Sequence, residues 1–193
     1  MAHRPGQKEE TRERIVAGAG RGFRAFGYGG IGVDGLAKEA GVTSGAFYAN
    51  FKSKASAFRE VVEVGLEDLR QGVLSMRARF GAGWRAAFVD FYLGDRRTCD
   101  LSQSCALQSL TSEVARADEA VKQTYEEKLR AVLAAAAEGL PGETEEARWN
   151  EAVSLLALLI GGVSLARGVQ DPQLSAAIAE AVRDAAARLD SEA

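Results

Sequence analysis

The chain has 193 residues, enough to bury a sizeable core, and its formal net charge of −3 taken alone argues against a nucleic-acid partner. Hydrophobic residues make up 47% and charged residues 26%, as in ordinary soluble proteins, and the longest uncharged run, 152–166, is too short to span a bilayer. Two cysteines are too few for a secreted disulfide scaffold, and the single histidine, His3, leaves the fold without the commonest general base and zinc ligand. We expect a soluble, cytoplasmic protein that needs no metal or cofactor and whose polar N-terminus is not a signal peptide.

Apolar residues recur at helical spacing along almost the whole chain, and no stretch alternates as a strand would, so we predict an all-α fold of about nine helices. The first four helices are predicted at about 8–26, 33–40, 44–51 and 54–79. Helix 1 places Ile15, Ala19, Phe23 and Phe26 on one face, which we expect to be buried. Its glycines lower its helix propensity, so packing against helices 2 and 3 must compensate.

Five further helices are predicted in the remainder of the chain, at about 84–93, 101–115, 118–138, 144–168 and 172–190. Glycine and proline interrupt the pattern at 81–83 and 140–142, and 94–98 is predicted to be a polar loop. Asp171 followed by Pro172 is a strong start for the last helix, because aspartate caps a helix and proline suits its first turn.

The most informative pattern is 33–54, VDGLAKEAGVTSGAFYANFKSK, two short helices joined by a glycine turn and followed by the capped start of a third. Gly41 suits the sharp turn because glycine accepts a positive φ, and Thr43 can cap helix 3. Val42 and Phe47 are spaced as a hydrophobic staple. The residues expected to bury against helix 1 are Leu36, Phe47 and Phe51. Such a unit places its second helix in the major groove of DNA, and the alternative is a buried αα-hairpin with no DNA role.

The outer face of helix 3 is small and rich in hydroxyl groups. It comprises Thr43, Ser44, Ala46, Tyr48, Ala49 and Asn50. Ser53 can cap helix 4 and directs Lys54, with the amino end of that helix, to the same side, which makes a phosphate site. Residues 1–54 hold nine basic and five acidic side chains, against 15 and 22 in the remainder. A basic head on an acidic body is typical of a protein that binds nucleic acid through its head.

The segment from about 11 to 58 resembles the DNA-binding domain of the tetracycline-repressor (TetR) family of bacterial transcription regulators. The parts that carry the resemblance are GYGG at 27–30, AGVTSGAFYANF at 40–51 and KSK at 52–54. The rest of the chain resembles the family only in length, helix content and an apolar eighth helix.

The resemblance implies roles for the residues of helix 3 and its surroundings. The implied phosphate contacts are Tyr48, Asn50 and Lys54. The implied base-edge positions are Thr43, Ser44 and Ala46, and Gly45 completes the DNA-binding set. The sequence departs from the family where Ile31 and Gly32 replace the usual hydroxyl residues before helix 2, and where helix 3 lacks arginine and glutamine, the strongest base readers. We therefore expect modest direct readout supplemented by DNA shape, and residues 3–8 are either a minor-groove arm or a plain tail.

Helices 8 and 9, at 144–168 and 172–190, are implied to pair with those of a second subunit in a homodimer. Helix 8 is apolar around most of its circumference, Gly161 and Gly162 allow close approach, and helix 9 carries a stripe of small and apolar residues. The stripe is Leu174, Ile178, Ala181, Val182, Ala185 and Leu189. The alternative is that both helices form only intrachain core. A two-fold dimer would place two recognition helices one DNA turn apart on a pseudo-palindromic operator.

The family's inducer pocket lies among helices 5–8, where this chain is rich in aromatic residues. The predicted ligand-binding set is Trp84, Phe88, Phe91, Tyr92, Leu107, Gln108, Tyr125 and Trp149. Such a lining suits an apolar or aromatic ligand, and the alternative for each aromatic is plain core. Cys99 and Cys105 are interpreted as small buried hydrophobes, with a redox or electrophile sensor as the alternative.

Together with the resemblance, these patterns predict a homodimeric repressor that a small-molecule inducer releases from a double-stranded DNA operator. Residues 1–54 would form the DNA-binding domain, and 55–193 the helical ligand-binding and dimerisation domain. Two other classes stay open. One is a ligand-binding helical dimer with weak or lost operator binding. The other is an enzyme using Cys105 or a carboxylate pair, for which the sequence offers no base, metal cluster or phosphate loop.

Overall fold

The structure, a computed structural model, describes residues 5–189. Within that range the chain is helical and contains no strand, so the all-α prediction is confirmed. The α-helices are α1 (Pro5–Gly30), α2 (Val33–Glu39), α3 (Ser44–Asn50), α4 (Lys54–Phe80), α5 (Trp84–Phe91), α6 (Ala106–Val114), α7 (Glu119–Ala137), α8 (Glu145–Gly168) and α9 (Pro172–Arg188). These nine agree with the predicted number for the described part of the chain.

The chain folds into two compact units. The first unit comprises the residues up to Gly65 together with Asp100–Glu126, and the second comprises Leu66–Cys99 together with the residues from Glu127 onward. Each of α4 and α7 therefore contributes residues to both units.

The core of the first unit forms where α1, α2 and α3 pack together. Ile15, Phe23, Leu36 and Phe47 are completely buried there. At Gly18 the helices approach so closely that a Cβ atom would lie 2.4 Å from the Cα of Ala40 in the turn after α2. Close packing thus accounts for a residue that weakens α1 as an isolated helix.

The predicted burial of Phe26 is wrong, because 58% of this residue is exposed. α1 does not end at Phe26 but continues to Gly30, with a kink at Gly27, whose φ is 73°. After the kink, Tyr28 packs its ring 5.8 Å from that of Phe23 and 5.0 Å from that of Phe58, measured between centroids. At this end of α1, therefore, Tyr28 packs against Phe23, whereas Phe26 points to solvent.

The second unit is built mainly on α5, α8 and α9. The guanidinium group of Arg85 on α5 lies 2.6 Å from the carboxylate of Glu151 on α8, and both side chains are buried. Arg85 also donates a hydrogen bond of 2.5 Å to the carbonyl of Ala186 on α9. These two contacts of Arg85 connect α5 to α8 and to α9.

The segment between α5 and α6 differs from the prediction. Residues 94–98, predicted to be a loop, lie largely in a π-helical turn over Tyr92–Arg96, and helix 6 begins at Ala106 rather than 101. A separate 3₁₀ turn covers Leu101–Gln103, capped by the carboxylate of Asp100. Extended backbone at Ser104 and Cys105 separates this turn from α6, which is why the predicted helix is divided.

The start of α9 confirms its prediction. The carboxylate of Asp171 accepts a hydrogen bond of 2.9 Å from the amide of Gln173, and Pro172 is the first helical residue. The predicted end at residue 190 lies outside the described residues.

α8 is long and apolar enough, by length and composition alone, to cross a membrane. The core helix of a soluble protein passes the same test, and Ala152, Leu155 and Leu159 of α8 are completely buried.

Candidate nucleic-acid interface

The turn between α2 and α3 has the geometry that its glycine predicts. Gly41 has a φ of 65°, and the amide of Val42 reaches back to the carbonyl of Ala37 at 2.9 Å. A residue with a Cβ would be strained at this φ. The turn therefore sets the angle between the two short helices.

α3, the predicted recognition helix, is capped at its start and buried on its inner face. The hydroxyl of Thr43 accepts a hydrogen bond of 3.1 Å from the amide of Ala46, as predicted for a capping residue. Phe47 is completely buried and Phe51 nearly so, and their rings lie 5.6 Å apart between centroids. These contacts hold α3 so that its opposite face points to solvent.

The outer face of α3 presents Tyr48, which is 57% exposed. Thr43, Gly45 and Ala49 are also exposed, whereas Ser44 and Ala46 are half-buried. The hydroxyl of Ser44 lies 2.5 Å from a carboxylate oxygen of Asp34 on α2. Sequence reasoning did not include Asp34, because nothing in the spacing of the two residues shows that the turn brings them together.

Lys54 is held at the start of α4. Its ammonium group lies 4.5 Å from the centre of the Tyr28 ring and donates a hydrogen bond to the carbonyl of Tyr28. The hydroxyl of Ser53 accepts from the amide of Ser56 at 3.1 Å, so the predicted cap of helix 4 is confirmed. A lysine at a capped helix amino end is a suitable phosphate ligand.

The side chain of Asn50 is engaged within its own helix. Its amide nitrogen donates to the carbonyl of Ala46 at 2.8 Å, and its Oδ1 is buried with no hydrogen-bond partner among the described residues. The carboxamide nitrogen of Asn50 is therefore bonded within α3, while the backbone carbonyl of Asn50 accepts from Arg12 on α1.

Arg12 on α1 connects the end of α3 to α4. Its guanidinium group donates to both carboxylate oxygens of Glu60, with Nε 2.9 Å from Oε1, and to the carbonyl of Asn50 at 2.7 Å. It also lies 4.4 Å from the centre of the Phe51 ring. We call this set of contacts the Arg12 clamp. Sequence reasoning missed it, because its members are 38 and 48 residues apart along the chain.

The aromatic residues predicted to bind a ligand fall into two groups. In the second unit Trp84, Phe88 and Tyr92 pack in sequence along α5 and the turn after it, with tilted rings at centroid distances of 5.9 and 4.8 Å, and all three are buried. Phe91 packs against Tyr92 at 6.2 Å, and Trp149 is half-buried on α8.

The other predicted ligand residues lie in the first unit. Leu107 is buried, whereas Gln108 and Tyr125 are half-buried. The hydroxyl groups of Tyr125 and Thr111 lie 3.0 Å apart, and burial raises the pKa of the Tyr125 phenol above its usual value. Because the Thr111 hydroxyl donates to the carbonyl of Leu107, the Tyr125 hydroxyl is the donor of this pair and can only accept a hydrogen bond from a bound molecule.

Cys99 and Cys105 do not form a disulfide, and both are half-buried. The Sγ atom of Cys99 lies 3.0 Å from the guanidinium group of Arg167 on α8, which also donates to the Cys99 carbonyl at 2.9 Å. Arg167 thereby fixes Cys99, after the π-helical turn, to α8 within the second unit.

A short helix, a glycine turn and a second helix with a capped start and an exposed polar face define a helix-turn-helix DNA-binding domain. Residues 15–61 match the model of the bacterial regulatory proteins of the tetR family. The HTH-type transcriptional regulator AcrR of Shigella flexneri is 36% identical over 81 residues, which cover 42% of this chain and 38% of that protein. The matched segment thus spans well under half of the length of that relative.

Similar solved structures extend the likeness to the whole fold. Escherichia coli NemR in its reduced form superposes with a TM-score of 0.73 at 20% identity, covering 92% of this chain and 95% of that one. Bacillus subtilis FadR in complex with stearoyl-CoA superposes with a TM-score of 0.65 at 15% identity, covering 89% and 95%. The chain has the DNA-binding domain and the fold of the TetR-family transcriptional regulators, so the resemblance stated from its sequence is confirmed.

Proposed function

We propose that this protein is a cytoplasmic, homodimeric repressor that binds a pseudo-palindromic operator and is released from it by a small molecule. The observation that carries the proposal is α3, whose buried inner face and capped start leave Tyr48 exposed, with Lys54 at the start of the following helix. Residues 1–54 would bind DNA, and 55–193 would bind ligand and form the dimer.

The DNA contacts proposed from the family pattern divide into two kinds. Tyr48 and Lys54 would bind phosphates and set the register, whereas Thr43, Ser44 and Ala46 would meet base edges. Asn50 is the least accessible member of the set, because its amide is bonded to Ala46. Any phosphate contact by Asn50 would require that bond to open.

Support for the dimer comes from the exposed side of α8. Val153, Ala157, Gly161 and Leu165 are spaced four residues apart on one face and are all exposed, Leu165 to 65%. Leu174 near the start of α9 is exposed as well. A contiguous apolar stripe of this kind is typical of a helix that packs against another subunit.

Support for ligand binding comes from the residue types of the predicted set and from a ligand complex of a protein with the same fold. The predicted set around α5 to α8 is largely apolar, with Tyr125 and Gln108 as polar groups, which suits an apolar or aromatic molecule. FadR, a protein of the same fold, was solved with stearoyl-CoA, a ligand with a long apolar chain.

Operator binding is tested by selecting sites from a random duplex library with the purified protein and measuring affinity by gel shift. We expect a pseudo-palindrome bound by a dimer. Binding that depends on salt concentration but not on DNA sequence would contradict the proposal of a sequence-specific regulator. It would favour the alternative, a ligand-binding helical dimer with weak or lost operator binding.

The DNA face is tested with the double variant Tyr48→Phe and Lys54→Ala. We expect operator affinity to fall roughly 10- to 100-fold, because charge-assisted phosphate contacts are lost, with helicity and dimerisation unchanged. Lys122→Ala, which removes the same charge from an exposed position on α7, is the matched control and should leave affinity nearly unaltered. Equal effects of the two changes would mean that the DNA face lies elsewhere.

A further inference from the structure

The contact between Ser44 and Asp34 has a defined direction. The two side chains come from consecutive helices, and their oxygen atoms are 2.5 Å apart. An ionised carboxylate has no proton, so the Ser44 hydroxyl is the donor. The distance lies in the range of charge-assisted O–H···O⁻ bonds, which are stronger than neutral ones.

This bond uses the only proton of the Ser44 side chain. A serine hydroxyl has one proton and two lone pairs, so Ser44 can then only accept a hydrogen bond from DNA. The carboxylate of Asp34 also only accepts. Thr43 differs, because its oxygen accepts from the amide of Ala46 and its proton is not used by that bond. The two adjacent hydroxyls at the start of α3 therefore differ, because Thr43 still has a proton to donate whereas Ser44 can only accept.

We propose that Asp34 is a specificity-determining residue that makes Ser44 an acceptor-only reader of base edges. In the major groove adenine presents a donor at N6 and cytosine a donor at N4, whereas guanine and thymine present acceptors at O6 and O4. Ser44 and Asp34 therefore favour adenine or cytosine on the strand that they face and disfavour guanine or thymine. This inference rests on the proposed function, since it requires α3 to lie in the major groove.

Rejection of the wrong base has a physical basis. Guanine O6 or thymine O4 opposite two acceptors would lose its hydrogen bond to water without a replacement, and the negative charge of Asp34 would repel it. One mismatched base pair typically reduces affinity by roughly 5- to 100-fold. The preference arises although helix 3 has no arginine or glutamine.

The test is site selection from a random library with wild type, Asp34→Ala and Ser44→Ala. Wild type should select adenine or cytosine at one position of each half-site. Asp34→Ala should accept all four bases there, because the released hydroxyl can both donate and accept, while the other positions keep their preference. In the Ser44→Ala background, removal of Asp34 should change the preference at that position much less.

Glu39→Ala is the matched control, since it removes the same charge from an exposed position on α2. It should raise affinity for all sequences alike and leave the preference intact. If Asp34→Ala behaves as Glu39→Ala does, Asp34 acts only through its charge and the inference is wrong. If wild type selects no motif, the proposed function itself fails. Thermal unfolding of each variant verifies that the fold is retained.

Discussion

At the residue scale, Lys54 shows how the first unit holds a flexible cation in place. Its ammonium group contacts both the ring and the carbonyl of Tyr28. The ring belongs in turn to an aromatic cluster with Phe23 and Phe58, which lie 5.0 Å apart between centroids. Tyr28 therefore connects the aromatic core to Lys54, which is proposed to contact DNA.

Glu67 on α4 gives a residue-scale prediction that depends on pH. Hydrogen bonds from Arg70 and then Gln71 lower the pKa of Glu67 from 4.5 to about 2. The native state thus favours the carboxylate, so the stabilisation is complete above pH 4.5 and is lost as the pH falls towards 2. Because both partners are partly exposed, we expect less than about 1 kcal/mol.

Glu67→Gln tests this by urea unfolding between pH 2 and pH 7. The variant should be slightly less stable than wild type at pH 7, and the difference should vanish near pH 2. Glu127→Gln, an exposed acidic position on α7, serves as the control and should not show this pH dependence. A constant difference across the range would show that the hydrogen bonds to Glu67 do not depend on its charge.

At the element scale, the Arg12 clamp fixes the far end of α3. Arg12→Lys keeps the charge but cannot hold Glu60 and the Asn50 carbonyl together, because an ammonium group lacks the planar fork of arginine. We expect the free energy of unfolding to fall by about 1–2 kcal/mol and operator affinity to fall 5- to 30-fold. Urea unfolding and fluorescence anisotropy measure the two effects.

Glu60→Gln separates a clamp from a direct DNA contact. Loss of a negative charge from the head would strengthen DNA binding by electrostatics alone, whereas loss of the clamp should weaken it. The slope of affinity against salt concentration should stay at the wild-type value, because no phosphate contact is removed. Glu13→Gln, the same change at an exposed position on α1, should not weaken binding.

Local chemistry explains which elements the sequence predicts well. Gly41, Thr43, Ser53 and Asp171 act on residues within four positions of themselves, so their turns and caps follow from spacing alone. Phe26 has the right helical angle for burial, yet the kink one residue later lets Tyr28 pack instead. That outcome depends on neighbours distant in sequence, as do the Arg12 clamp and the contact of Ser44 with Asp34.

At the scale of the whole molecule, the exposed stripe of α8 predicts how subunits associate. Leu165→Glu places a charge within the proposed apolar interface, where it would be desolvated without a partner. We expect a monomer by sedimentation and much weaker binding to a full palindrome. Helicity should be preserved, because Leu165 is 65% exposed in the single chain.

The control for this prediction is Ala134→Glu, which adds the same charge at an exposed position on α7. It should remain dimeric and bind the operator as wild type does. A dimeric Leu165→Glu variant would show that another surface joins the subunits.

The internal hydrogen bonds of the proposed DNA-binding face have a consequence for the thermodynamics of DNA binding. Thr43, Ser44 and Lys54 each hold a hydrogen bond within the first unit before any DNA is bound. Ordering a flexible side chain on binding costs about 0.5–1.5 kcal/mol in entropy, and here most of that order already exists in the folded head. Operator binding should therefore be entropically favourable, dominated by released counterions and water, with little opposition from side chains that become fixed.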